Sequence, residues 1–196
     1  MRILLRSVLA ILPLLLAGCF FENPLTSKPS ENLNTWLLGE WEHRDKNGAV
    51  SRAVVTPLSG DSYNVQVSIA KRGLRRSYHF KSWGSRIEGF TFHTLQNLEL
   101  GPDLPQGAFI FLHVQLVDQN TIILRKPTLA SAQHTDSKLL RDEIRARLKE
   151  NSLYVGGEEQ SWKRTSEAFW ECDGQTGLFR PLRYNVPDPK KKTQIP

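Results

Sequence analysis

Three histidines raise the first chemical question. His79, His93 and His113 fall on three successive predicted strands, where neighbouring imidazoles can converge on a metal ion or a substrate. Strand parity works against convergence. With Tyr78 and Phe80 inward, His79 points outward, His93 shares a face with Ile87 and Thr91, and His113 shares one with Phe109 and Phe111. The expectation is three packed or hydrogen-bonded histidines and no metal site. Other reactive arrangements are equally sparse. The chain has no G-x-S-x-G elbow, no H-E-x-x-H, no phosphate loop and no C-x-x-C. Gly156-Gly157 follow a short apolar stretch but lack the helix and lysine that cradle a phosphate. No acidic, basic and hydroxyl trio stands in a recognisable order, although such trios are geometric and can be hidden. The reading is a non-enzymatic protein with no catalytic residues and no cofactor.

Cations gather at Lys71-Arg72-Gly73-Leu74-Arg75-Arg76, around a hairpin turn. Arg72, Arg75 and Arg76 are candidates for binding an anionic surface, and the plain alternative is a solubilising tip. The whole chain has 196 residues, a formal charge of +6 and 39% hydrophobic residues, which suits one domain and excludes a polytopic membrane protein or a wholly disordered chain. Two cysteines, Cys19 and Cys172, exclude a disulfide-stapled miniprotein. Cys172 lies between Glu171 and Asp173, which oppose thiolate formation and favour an inert thiol.

The amino terminus addresses the chain. Arg2 and Arg6 flank a short apolar run that leads through Leu16-Ala17-Gly18 to Cys19. A basic start, an apolar segment and a small-residue cleavage site make a secretory signal peptide over residues 1–18. The run is too short to span about 30 Å of hydrocarbon as a helix, and Pro13 weakens it further. Leu16-Ala17-Gly18-Cys19 also resembles the bacterial lipobox. That resemblance implies cleavage before Cys19, diacylation of its sulfur and acylation of its new amine, against the alternative of a plain signal peptide and a chance cysteine. Three acyl chains anchor firmly where one holds marginally. Phe20 in place of Asp implies, by the same resemblance, sorting to the outer membrane, with the domain facing the periplasm. Export also removes the protein from nucleic acid, which is not an expected partner.

Residues 19–35, with Pro24, Pro29 and several polar residues, read as a lipidated flexible tether. At the other end, 167–196 form a carboxy-terminal extension. Phe169, Trp170, Phe179 and Tyr184 would dock on the domain or meet a partner, and Pro187-Asp188-Pro189-Lys190-Lys191-Lys192 read as disordered. Between these ends, short apolar runs alternate with turns. Strands are predicted over 40–44, 49–56, 63–70, 75–83, 87–95, 108–117, 121–126 and 161–165. Tyr63, Val65, Val67 and Ile69 alternate with polar residues and mark the clearest half-buried strand. Residues 108–117 are apolar on both parities and should be covered on both faces. One helix is predicted over about 137–150, where Leu140, Ile144 and Leu148 form a stripe and Asp136 or Ser137 can cap. The fold class is mainly β, an antiparallel eight-stranded up-and-down barrel or strongly curved sheet. The helix stripe suits a lid packed on the sheet, against the alternative of a membrane-surface helix. Closure removes sticky edges, and the place of the helix before the last strand would make it a plug across one end.

Leu38-Gly39-Glu40-Trp41 then resembles the opening Gly-x-Trp of the lipocalin and calycin group. The resemblance spans 36–166 and implies that Trp41 closes the narrow barrel end under an arginine, Arg164 first and Arg125 second, as a cation–π pair. Lipocalin helices follow the barrel, whereas this one precedes the last strand, and the lipocalin disulfide is absent. The expected function is binding of a small amphiphile inside the barrel, oriented by Tyr63, His113 and Gln115. The alternative is an assembly lipoprotein with a filled barrel contacting an envelope protein complex, and a hydrolase with a hidden site stands third. Membrane contact through the lipid is expected in either of the first two.

Overall fold

The computed structural model describes residues 20–71, 73–100, 103–129, 136–155, 157, 159–166, 170–172 and 179–181. Residues 1–18, expected to be a signal peptide, Cys19, Arg72 and most of the expected carboxy-terminal extension lie outside these residues.

Eight strands close into one antiparallel barrel in chain order. They are β1 (Gly39–Arg44), β2 (Val50–Ser59), β3 (Ser62–Lys71), β4 (Leu74–Ile87), β5 (Phe90–Asn97), β6 (Phe109–Asp118), β7 (Thr121–Arg125) and β8 (Glu159–Ser166). Closure is made by β8 on β1, with Trp41 opposite Arg164. Helix α1 (Ser137–Lys149) precedes β8, and β9 (Trp170–Cys172) pairs with β10 (Phe179–Pro181) in a separate ribbon. Each predicted strand is present, and the largest boundary change falls at 87–90. Glu88 and Gly89 both adopt positive φ, so β4 runs on to Ile87 and β5 starts at Phe90. Two left-handed residues match the twist of a two-residue hairpin, although Glu at the first position hides that turn in the sequence.

Strand parity produces two cores. Val65, Val67, Phe80, Leu95, Ile110 and Ile122 face the barrel interior. On the opposite parity, Trp83, Ile87, Phe92, Phe109 and Phe111 build a second apolar face outside β4, β5 and β6. That face must be covered, and α1 covers it with Leu140 and Ile144, both fully buried. The helix is therefore a lateral cover, not the plug across one end that its place in the chain suggested. Its amino end is capped by Asp136, whose side chain accepts from the Lys138 N–H.

Residues 21–34 complete the cover, correcting the expectation of a flexible tether there. Phe21 pairs through its backbone with Phe109, and its ring lies 4.6 Å from that of Phe111. Leu25 is fully buried in the same cluster. Ser137 Oγ donates to the Pro24 carbonyl and Arg141 to that of Leu25, joining strap and helix. Farther along, the Ser30 and Leu33 N–H groups donate to the Gly84 and Gly60 carbonyls. A side chain at Gly84 would meet Glu31 Cβ at 3.2 Å, which explains the small residue where the strap crosses β4. Prolines and polar residues suggested a linker, but two well-placed apolar side chains are enough to dock it.

The barrel ends differ. At one, a 3-10 turn (Thr35–Leu37) places Leu37 and Leu38 beside Trp41, and the hairpin turns β2–β3, β4–β5 and β6–β7 project. We call this the closed end. The other, the mouth, carries the β1–β2 and β3–β4 turns and the β5–β6 loop. Asn97 organises that loop by donating from Nδ2 to the carbonyls of Glu99, Leu104 and Pro105.

Candidate functional site

Inside the barrel is a cavity of about 180 Å³. Its walls are aliphatic, chiefly Val65, Val67, Leu112, Val114 and Leu124, as inward-facing positions of a half-buried strand require. Those five side chains are only partly buried although they face inward, so the cavity is reached by solvent. At the mouth it is bounded by Ser51, Lys126 and Gln160, all half-buried.

Polar groups meet toward the closed end. Tyr63 stands opposite Ser82 in the β3–β4 register, and Ser82 Oγ lies 3.4 Å from His93 Nδ1. The Tyr63 and His93 rings are 5.5 Å apart. All three residues are buried and border the cavity. Burial holds the His93 pKa down at about 4, so the imidazole is neutral near pH 7. Burial raises the Tyr63 pKa, and its hydroxyl oxygen accepts from the Asn34 N–H at 2.6 Å. An apolar chamber with a neutral hydrogen-bonding floor favours an uncharged polar group, because a charge there would lose hydration without a compensating partner.

Beneath this floor the guanidinium of Arg164 sits 4.4 Å from the Trp41 ring centroid. Its Nη1 donates to the Leu38 carbonyl at 2.6 Å and its Nε to that of Gln119 at 2.8 Å. Trp41 Nε1 donates to the Leu37 carbonyl at 3.0 Å. The alternative arginine, Arg125, lies on the outer surface, 2.7 Å from a Glu159 oxygen.

Of the three expected ligand contacts, only Tyr63 reaches the cavity. His113 and Gln115 share the parity of Phe109 and Phe111, which proves to be the outer one, while Ile110, Leu112 and Val114 point in. Apolar residues on both parities of β6 hid which face was inside. His113 instead receives Tyr154, whose hydroxyl lies 2.7 Å from Nδ1, and packs against Phe90 and Phe92. Desolvation, then the nearby Arg125 charge, lowers the His113 pKa, while burial pushes Tyr154 up to about 12. Gln115 Oε1 accepts from Arg125 Nη1 at 2.6 Å.

The histidines do not converge. His79 faces outward, bonded to Asn64 and 3.4 Å from Glu99, while His93 lies inside and His113 lies in the outer core. Among the described residues no group of three or more His, Cys, Asp or Glu is placed to hold a metal ion. The cationic turn also divides. Arg76 is engaged by Asp103, whereas Arg75 is exposed on the hairpin. His93 and Ser82 were the residues missed as ligand contacts, although the alternation His93, Leu95 with Tyr63, Val65 carries their inward parity. No family model, no curated protein and no solved structure matches this chain.

Proposed function

We propose that this protein is a bacterial envelope lipoprotein that holds a small, uncharged amphiphile in its barrel without transforming it. The observation that carries the reading is the aliphatic cavity of about 180 Å³ floored by neutral His93, Ser82 and Tyr63. An apolar cavity of about 150 Å³ is enough to bind benzene, so this one suits a single ring or a short branched chain rather than a whole lipid. The apolar part would lie against Val65, Val67, Leu112 and Val114, with its hydroxyl, ester or amide at His93 and Ser82.

Cys19 would carry the anchor, by resemblance of Leu16-Ala17-Gly18-Cys19 to the lipobox, and Phe20 favours the outer membrane. Gly39-x-Trp41, under Arg164 at the closed end, supports a lipocalin-like relationship. Native mass spectrometry of the chain purified from bacterial membranes tests both parts. The expected species begins at an acylated Cys19 and carries a small non-covalent adduct. A barrel that is empty as isolated, and that binds neither a polarity-sensitive dye nor any small neutral amphiphile, would overturn the binding reading.

A further inference from the structure

We infer that the mouth of the barrel is a membrane-docking face, pressed against a bilayer that contains anionic lipid. Leu100 and Leu74, 84% and 72% exposed, are the two most exposed large apolar side chains among the described residues. Both belong to the mouth. Leu74 opens β4 at the β3–β4 turn, and Leu100 lies in the β5–β6 loop. Leu98, Glu99 and Asp103 of that loop are held along the upper part of β4. The Leu98 N–H donates to the His79 carbonyl at 2.9 Å, Asp103 engages Arg76, and Glu99 lies beside His79. Leu74 thus stands in water on the β3–β4 hairpin, opposite Lys71 in register, and Leu100 follows a segment bonded to β4. This arrangement favours insertion into an interface over a solvated tip.

Charge selects the occupant. Lys71 and Arg75 flank Leu74, and Lys46 stands on the neighbouring β1–β2 turn, where the Asp45 carboxylate is used by the Asn47 and Ala49 N–H groups. The closed end also exposes apolar side chains, among them Trp36, Leu58, Phe90 and Val117. Its three hairpin turns, however, carry Asp61, Glu88 and Asp118 and no lysine or arginine. Arg145 meets Glu88 at 3.4 Å, and Glu99 is exposed beside Leu100. Lysine and arginine side chains still gather at the mouth turns, so an anionic surface favours the mouth over the closed end. The path of the chain agrees. Phe21, two residues after Cys19, pairs with Phe109, the first residue of β6 at the mouth end.

This deepens the proposed function and rests on it for what the mouth admits: an apolar ligand would pass between bilayer and cavity without crossing bulk water. The test uses the full chain isolated from membranes, carrying Cys172→Ser, and reconstituted in phosphatidylcholine vesicles with or without phosphatidylglycerol. Environment-sensitive labels are placed singly through Leu74→Cys, Leu100→Cys and Leu58→Cys. With phosphatidylglycerol, the labels at 74 and 100 are expected to shift blue and to be quenched by spin-labelled lipid, and the label at 58 is not. Lys71→Gln with Arg75→Gln should lower the docking equilibrium about 30-fold, from about 1 kcal/mol per surface cation. Quenching at 58 equal to or above that at 74 and 100, or no quenching at any position, would overturn the docking face. Dye displacement from the cavity in detergent, on the same samples, reports on the ligand reading separately.

Discussion

The guanidinium of Arg164 stacks 4.4 Å from the Trp41 ring while donating to backbone carbonyls on two other segments, at Leu38 and Gln119. One side chain thereby joins the last strand, the segment before β1 and the β6–β7 turn. Arg164→Leu should cost about 2–3 kcal/mol, from the lost cation–π contact and the orphaned carbonyls. Arg164→Lys should recover little of it, since an ammonium cannot reproduce the planar fork. Urea unfolding of the two variants measures the difference.

His93 predicts an acid-sensitive fold. Its pKa is about 4 in the folded chain against an ordinary 6.5. Between these values the unfolded chain binds a proton that the folded chain refuses, so stability is full above pH 6.5, falls as pH drops toward 4, and levels off below. The loss is about 3 kcal/mol. His113, lowered by burial and by Arg125, acts in the same direction. Urea midpoints followed from pH 7 to about 4 should flatten in part for His93→Gln.

Filling the cavity should separate binding from folding. Val67 faces the interior from mid-β3, opposite Tyr78. Val67→Phe is expected to weaken dye or amphiphile binding by about tenfold or more while changing stability by about 1 kcal/mol, because the ring enters existing space. Isothermal titration and urea unfolding of the same sample provide the two numbers.

The strap over 21–34 is predicted to be part of the fold. Leu25→Ala removes a fully buried side chain from the outer core and should cost about 2–5 kcal/mol. Amide hydrogen exchange should show the loss first in α1, whose Ser137 and Arg141 bond the strap's carbonyls. A variant as stable as the parent would mean the strap merely rests on the surface.

Much of the architecture was legible in local pattern. Alternation at Tyr63, Val65, Val67 and Ile69 identified a strand with one buried face, and the Leu140, Ile144 stripe identified α1 with its Asp136 cap. Both signals depend on periods of two and 3.6 residues, which any short window displays. The closing pair of Trp41 and Arg164 was expected from the resemblance of Gly39-x-Trp41 to the lipocalin opening, and closure of β8 on β1 brings the two residues together.

The sequence by itself thus determined the strands, the helix, the order that lets β8 meet β1, and an amino terminus that resembles an export and lipidation signal. Only the tertiary structure decided which parity of β6 is inside. Phe109 and Phe111 are as apolar as Ile110 and Leu112, and a strand buried on both faces carries no alternation to read. That decision moved His113 and Gln115 out of the cavity and left the floor to Tyr63, Ser82 and His93. It also converted the helix from plug to lateral cover and the tether to a strap, since each follows from one outer apolar face that needed a partner. Side-chain convergence depends on contacts between residues distant in the chain, and no local period encodes those.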